Sequence, residues 1–457
     1  MSDHRTGHAR VSGTNATPCR HVRNWQTGCI ASAVPASPPE AVLTHIGEDA
    51  DLIVPLANGE PRALIDVLDT HALELTNVRV HQMHALHDHR YIHGAYGDHL
   101  HHVSYFLSAV TRPAFADGEC DLVPAHFSEM PLILRRDTKQ PLVLAAASPP
   151  DRHGYVSLGT NADYTARFIG QAPFFIEVNP NMPRTFGENS LHLNQVLGWT
   201  EAEYPLIELD PTTTSAVDDR IAALVAERIP DRATIQAGIG AIPNAILGLL
   251  HDHNDLGLHT ELISDGVMDL FEAGALTGTH KVTRPGKMVA TFALGSRRLY
   301  DFLNDNSAVE FLPVDWVNDP RVIGREHCFV SINATVEVDL LGQCNSEMIA
   351  GRYYSGSGGQ TDFARGAMYS EHGIGFVVLH STTADESVSR IVSHLCPGAP
   401  VTTMKNTVDH VVTEYGIAEL RGRSIAQRAR ALIDIAHPKF RDTLEHDART
   451  LGFLRRD

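Results

Sequence analysis

The chain has little that would staple it, anchor it or draw it to nucleic acid. Its six cysteines are scattered through 457 residues. Cys19, Cys29, Cys120, Cys328, Cys344 and Cys396 form no C-x-x-C pair, which speaks against a zinc ribbon or a disulfide scaffold. Isolated thiols fit a reducing, cytoplasmic setting. No apolar run approaches the length of a membrane span, and the first residues lack the apolar core of a signal segment. Positive charge is also short: 37 Lys and Arg face 55 Asp and Glu, for a formal net charge of -18. A sequence-independent grip on DNA or RNA needs clustered cations to neutralise phosphates, so that class is disfavoured. A single anionic small molecule is still compatible with an acidic chain, because a helix N-terminus or a local patch can bind phosphate.

What is present is an ordinary globular balance, 43% hydrophobic and 20% charged. At roughly 150 residues per domain, two or three domains are expected. Residues 1–35 are polar and aperiodic and read as a loose tail. Short apolar runs bounded by turn residues predict strands at 52–56, 78–80, 103–107, 141–147 and 174–178. Asp210–Ser215 reads as a linker. Ser215 followed by Asp218 is a helix-start signature, and Ile221, Leu224, Val225 and Ile229 then recur at helical spacing. Further strands are predicted at 233–237, 258–263, 288–294, 328–332, 375–379 and 408–415, with a helical end from Ser424 broken at Pro438. Strands alternating with helices imply α/β architecture with mainly parallel sheets. Two such units are expected, 36–212 and 213–457, packed together with the ligand site between them. Ligands of open α/β sheets bind beyond the carboxyl ends of the strands.

Histidine is plentiful, with 27 in all. Eight crowd one segment: His81, His84, His87, His89, His93, His99, His101 and His102. The pairs His84/His87 and His89/His93 would share a face if the segment were helical. No partner sits at a zinc spacing such as H-E-x-x-H, so the segment is expected to be a polar helix-loop-helix, with a metal-binding scaffold as the rival reading.

Three loops have the composition for chemistry. In Gln236-Ala237-Gly238-Ile239-Gly240-Ala241-Ile242-Pro243 a strand, a glycine-x-glycine turn and a helix start aim backbone N–H groups at an anion. The third glycine of a dinucleotide fingerprint is missing, because Pro243 stands there. A nicotinamide-dependent dehydrogenase therefore stays open only as a weak alternative. Glu261 follows the next predicted strand, beside that turn; taken alone it reads more readily as a solvated strand-end group. The third loop, Tyr354-Ser355-Gly356-Ser357-Gly358-Gly359-Gln360-Thr361-Asp362-Phe363, lets backbone approach a ligand closely. It lacks the G-x-S-x-G elbow of a serine hydrolase.

Taken in order, S-P-P-D-R-H-G-Y-V-S-L-G (148–159), N-P-N-M-P-R-T-F-G (179–187), Q-A-G-I-G-A-I-P-N-A (236–245), H-T-E-L-I-S-D-G-V-M-D-L (259–270), S-I-N-A-T-V-E-V-D-L-L-G-Q (331–343), Y-S-G-S-G-G-Q-T-D-F-A-R-G-A (354–367) and V-V-T-E-Y-G-I-A-E-L-R-G (411–422) resemble the acetyl-CoA hydrolase/transferase family of class I CoA-transferases. Its 4-hydroxybutyrate and butyrate:acetate members are the nearest in pattern. The resemblance runs from about residue 40 to 450. It implies a ping-pong transfer of CoA between carboxylic acids, with Glu261 as nucleophile and Glu337 as second candidate. It further implies backbone oxyanion donors at Ile239 and Gly358, and CoA contacts near Gly238, Ile239, Gly240, Ala241, Asn333, Gly356, Gly358, Gly359 and the strand end His380-Ser381. Lys405 and Arg365 are candidates for phosphate contacts. No metal and no permanently bound cofactor are implied; acyl-CoA is a substrate. A homodimer or higher homo-oligomer is expected. Acyl-CoA hydrolysis by the same glutamate is the nearest rival. The chain departs from the family pattern at Leu262-Ile263, at Thr403-Met404-Lys405 and in the histidine-rich segment, which leaves the acyl group undefined.

Overall fold

A computed structural model describes residues 35–210, 213–238 and 240–455. The expected tail up to residue 34, the linker residues Pro211 and Thr212, and Ile239 lie outside them.

Among the described residues two large sheets organise the chain. The first has seven strands, all parallel, in the order Gly198–Glu201, Phe174–Val178, Pro141–Ala147, Asp51–Ile53, Val78–Gln82, Leu100–Ser104 and Asp121–Leu122. The second has six, in the order Gly257–Leu258, Thr234–Ala237, Phe329–Ala334, Ile374–Val378, His410–Thr413 and Gly416–Glu419. All its pairings are parallel except the last. Pro141–Ala147 and Phe174–Val178 are buried almost throughout, as expected of parallel strands covered on both faces. One apolar cluster takes in Ile53, Val143 and Ile176 of the first sheet with Ile235, Val330 and Phe376 of the second. The two sheets thus share a continuous core.

Local signals explain the helix starts. Ser215 caps Ala216–Ala226: its hydroxyl accepts from Asp218 N–H, and Asp218 accepts in return from Ser215 N–H. This reciprocal box satisfies two donors that a helix end leaves free. Pro438 opens the helix Pro438–Thr450 just after Ile425–Asp434 ends, where its missing N–H costs nothing.

Two sequence expectations are corrected. Leu258–Ile263 is not one strand. Gly257–Leu258 pairs with Thr234–Ile235 in the second sheet, whereas Leu262–Ile263 pairs with Phe292–Ala293. The expected strand 288–294 breaks in step, into Met288–Ala290 and Phe292–Ala293. The chain changes sheets at Thr260-Glu261, where Thr260 N–H donates to Val289 O, and Thr291 and Phe292 donate to Glu261 O. Both segments are apolar enough to read as continuous strands, and only their separate partners reveal the switch.

The histidine segment is the second correction. It holds the strands Val78–Gln82 and Leu100–Ser104 joined by short 3-10 turns. Strand pairing wins because Val78, Val80 and Leu100 are fully buried in the core of the first sheet. His81, His89 and His102 are buried as well. Glu60, also buried, accepts hydrogen bonds from Gln82, His87 and His89. Among the described residues no group of three or more His, Cys, Asp or Glu is arranged to hold a metal ion.

Burial alone would raise the Glu60 carboxyl, but the bonds from His87 and His89 outweigh it and hold it at about 2. The His89 ring is in turn raised: burial pulls it down, and Glu60 more than offsets that. A depressed carboxyl stabilises the fold above its unfolded value of 4.5. A raised imidazole does so below its unfolded value of 6.5. The pair's contribution is therefore complete between about pH 4.5 and 6.5. It fades as pH falls toward 2, and again as pH rises past the His89 value. Glu60→Ala is expected to cost about 3–5 kcal/mol near pH 6, read from the urea unfolding midpoint.

Candidate active site

Three chain segments meet at the carboxyl ends of the second sheet's strands. The strand Thr234–Ala237 ends at Gly238, whose N–H donates to Ile332 O at 2.9 Å. Gly240, with φ at +129°, starts the helix Ala241–Gly248; a backbone in that region favours glycine. The neighbouring strand Phe329–Ala334 carries Asn333 near its end. Asn333 and Gln236 exchange reciprocal side-chain hydrogen bonds of 3.1 and 3.2 Å across the two strands.

The glycine-rich loop supplies the opposite wall. A Cβ on Gly356 would lie 2.7 Å from Tyr105 O, just past the first sheet's strand Leu100–Ser104. Gly358 has φ at +53°, and its carbonyl accepts from Phe127 N–H at 3.0 Å. Gly359 caps the helix Gln360–Tyr369. A Cβ there would come within 2.0 Å of Glu261 Oε2 and 2.3 Å of Asn318 Nδ2. The loop is free of bulk because other chain already fills the space.

Between these walls lies a cavity of about 210 Å³. Gly238, Glu261, Asn333, Gly356, Gly358 and Gly359 line it, with Phe106 reaching in from the first sheet. The site therefore sits between the two sheets. Asn318 Nδ2 donates to Glu261 Oε2 at 2.7 Å. Burial pushes the Glu261 carboxyl up to about 7, against the opposing pull of that hydrogen bond. A carboxyl removed from water favours its neutral form; when it does ionise, it is poorly solvated.

Other expected residues fall elsewhere. Gly240 and Ala241 line an adjoining cleft with His380 and Arg390. Ser381 is buried, and both its N–H and its hydroxyl donate to the Glu414 carboxylate. Glu337 stands on the strand Glu337–Asp339 and accepts from Asn345 Nδ2 and Cys396 N–H at 3.0 and 2.9 Å, a structural setting away from the cavity. Arg365 is exposed and donates to Tyr369 OH, and Lys405 is exposed. Asn318 carries no local sequence signal: it lies 57 residues from the glutamate it holds. Phe106 gave none either; the ring of His84 packs edge-on against it at 5.7 Å, which ties the histidine segment to the cavity wall.

Comparison with known proteins finds similarity along most of the chain. The acetyl-CoA hydrolase/transferase N-terminal domain matches residues 36–222, and the C-terminal domain of the same family matches 295–448. Glu261 falls between these spans, inside the longer similarity to curated relatives. The succinyl-CoA:cyclohexane-1-carboxylate CoA transferase of Geobacter metallireducens is 42% identical, over 91% of this chain and 95% of its own. The 4-hydroxybutyrate coenzyme A transferase of Clostridium kluyveri is 41% identical, over 89% and 96%. The crystal structure of RipA from Yersinia pestis superposes with a TM-score of 0.87 at 35% identity, covering 92% of this chain and 98% of RipA. On these matches the chain belongs to the acetyl-CoA hydrolase/transferase family and is an enzyme of the CoA-transferase class.

Proposed function

We propose that the protein moves CoA from an acyl-CoA to a free short-chain carboxylic acid, of the acetate, butyrate or 4-hydroxybutyrate kind, with Glu261 as the covalent carrier. The observation that carries this reading is the position of one carboxylate, withdrawn from water, beside the glycine-rich wall of a cavity at the strand ends. A carboxylate is a weak nucleophile, and fixed position with loss of hydration is what makes it effective.

The bonds then exchange without net proton change. A Glu261 oxygen attacks the thioester carbonyl, the carbon–sulfur bond breaks, and CoA thiolate leaves an acyl-glutamyl anhydride. The thiolate attacks Glu261 Cδ and expels the first acid as its carboxylate, leaving CoA on the enzyme as a thioester. The second carboxylate attacks Cδ and displaces the thiolate. The thiolate then attacks the new acyl carbon and frees Glu261. Each step passes through an oxyanion that needs fixed donors. Gly358 N–H, which donates to no described residue, suits the substrate-centred oxyanion, together with Ile239 N–H. Asn318 Nδ2 already faces the Glu261 oxygen that carries charge when Cδ is attacked. CoA would extend from the cavity past Gly356 and Gly359, with Gly240 and Ala241 at the adjoining cleft. The reading also takes the chain as two halves dividing near 212, and as a homo-oligomer in a reducing compartment, where Cys120, Cys328, Cys344 and Cys396 stay free.

Peptide mass analysis after incubation with acyl-CoA alone tests the carrier. A CoA-sized adduct is expected on the peptide holding Glu261, discharged as acyl-CoA on adding a second carboxylic acid. Steady release of free CoA with no acid present would favour hydrolysis instead. An adduct on the Glu337 peptide would overturn the assignment.

A further inference from the structure

A second buried carboxyl stands behind the first. Asp362 lies in the first turn of the helix Gln360–Tyr369, three residues past Gly359, and is 4% exposed. Its partners come from the far side of the fold. Ser128 Oγ donates to Asp362 Oδ1 at 2.9 Å, and Ser128 N–H to Oδ2 at 3.2 Å, across 234 residues. The preceding residue, Phe127, donates its N–H to Gly358 O at 3.0 Å. Three hydrogen bonds thus strap one short turn, Phe127–Glu129, to the stretch of chain that forms the glycine wall. That wall has no slack, since Gly359 packs directly on the Glu261 carboxylate.

We propose that Ser128 and Asp362 form a positioning pair for the transfer reaction: Asp362, tied to Ser128, holds the Gly358–Gly359 turn against Glu261. The proposal rests on Glu261 being the carrier. Hydrogen bonds at both carboxyl oxygens fix the helix start in rotation as well as in distance, and reacting groups tolerate little displacement.

The charges around the pair agree with a neutral Asp362. Burial comes first, raising its carboxyl to about 8 despite the two bonds from Ser128; the charges of Glu261 and Glu129 push the same way. Arg365, one turn along the helix, is exposed and spends its guanidinium on Tyr369. Glu261 is raised as well, to about 7. Burial acts on both acids in the same direction, and further on Asp362. Above about pH 8 Asp362 also ionises, and its charge opposes the oxyanions and the thiolate formed beside it.

Steady-state kinetics across pH 5.5 to 9.5, pH values on the order of those two shifts, tests the pair in the full-length enzyme. Ser128→Ala is expected to lower kcat on the order of 10-fold with KM for acyl-CoA nearly unchanged, and Ser128→Thr to restore it. Asp362→Asn, a neutral mimic, is expected to keep kcat within roughly 3-fold at neutral pH and to abolish the fall in kcat/KM above pH 8. Undiminished kcat in Ser128→Ala overturns the proposal, as does an alkaline fall that persists in Asp362→Asn. Glu261→Gln, assayed in parallel, separates the two readings: if it is inactive while Ser128→Ala is unimpaired, only the positioning pair fails. If it exchanges CoA normally, the carrier assignment fails.

Discussion

Glu261→Gln is expected to lower CoA exchange by at least about 10³-fold, because among the described residues no other carboxylate lines the cavity. The amide keeps the shape of the carboxyl and its contact with Asn318, so folding should survive and stability should rise. The sign follows from burial. The Glu261 carboxyl has its folded value raised from 4.5 to about 7. The folded protein therefore holds that proton more tightly than the unfolded chain, and stability is lost as pH climbs from 4.5 to 7. Glutamine removes the loss. The variant should be more stable than the parent by about 1–3 kcal/mol at pH 8, and the two should converge below pH 4.5. Denaturation curves at the two pH values check the stability claim, and isotope exchange between acyl-CoA and free acid checks the activity claim. A folded variant that exchanges at the parent rate would remove Glu261 from the mechanism.

Gly359→Ala is expected to be the next most damaging change, with kcat reduced on the order of 10²-fold. Gly359 has φ at -99°, a conformation open to any residue, so backbone strain is not the cause. The cause is space: the new methyl would sit 2.0 Å from Glu261 Oε2 and 2.3 Å from Asn318 Nδ2. Either the glutamate or the glycine wall must move, and the site needs both. Overpacking of this kind costs about 1–3 kcal/mol in stability, so the folded fraction is measured beside kcat. Gly248→Ala is the matched control. That glycine, at the end of the helix Ala241–Gly248, meets nothing within 4 Å. Alanine there should leave kcat unchanged and raise stability slightly, through helix propensity. Equal effects at both positions would mean that the closeness of Gly359 to Glu261 has no functional weight.

The sequence by itself determined what depends on near neighbours. The Ser215–Asp218 box acts within one helical turn, and it stands where its residues imply. The apolar runs 141–147 and 174–178 form strands buried almost throughout, as short apolar runs bounded by turn residues imply. Ordered motifs and two glycine turns pointed to one family and to Glu261. Tertiary structure alone decided the rest. The switch of sheets at Thr260-Glu261, Asn318 on Glu261, and Ser128 on Asp362 join residues tens to hundreds of positions apart. The histidines followed the same rule: their polarity suggests exposure, yet pairing of their strands within the first sheet carries His81 and His102 inside. Such contacts leave no period or spacing in the chain, because they exist only once packing of the apolar faces has brought the two segments together.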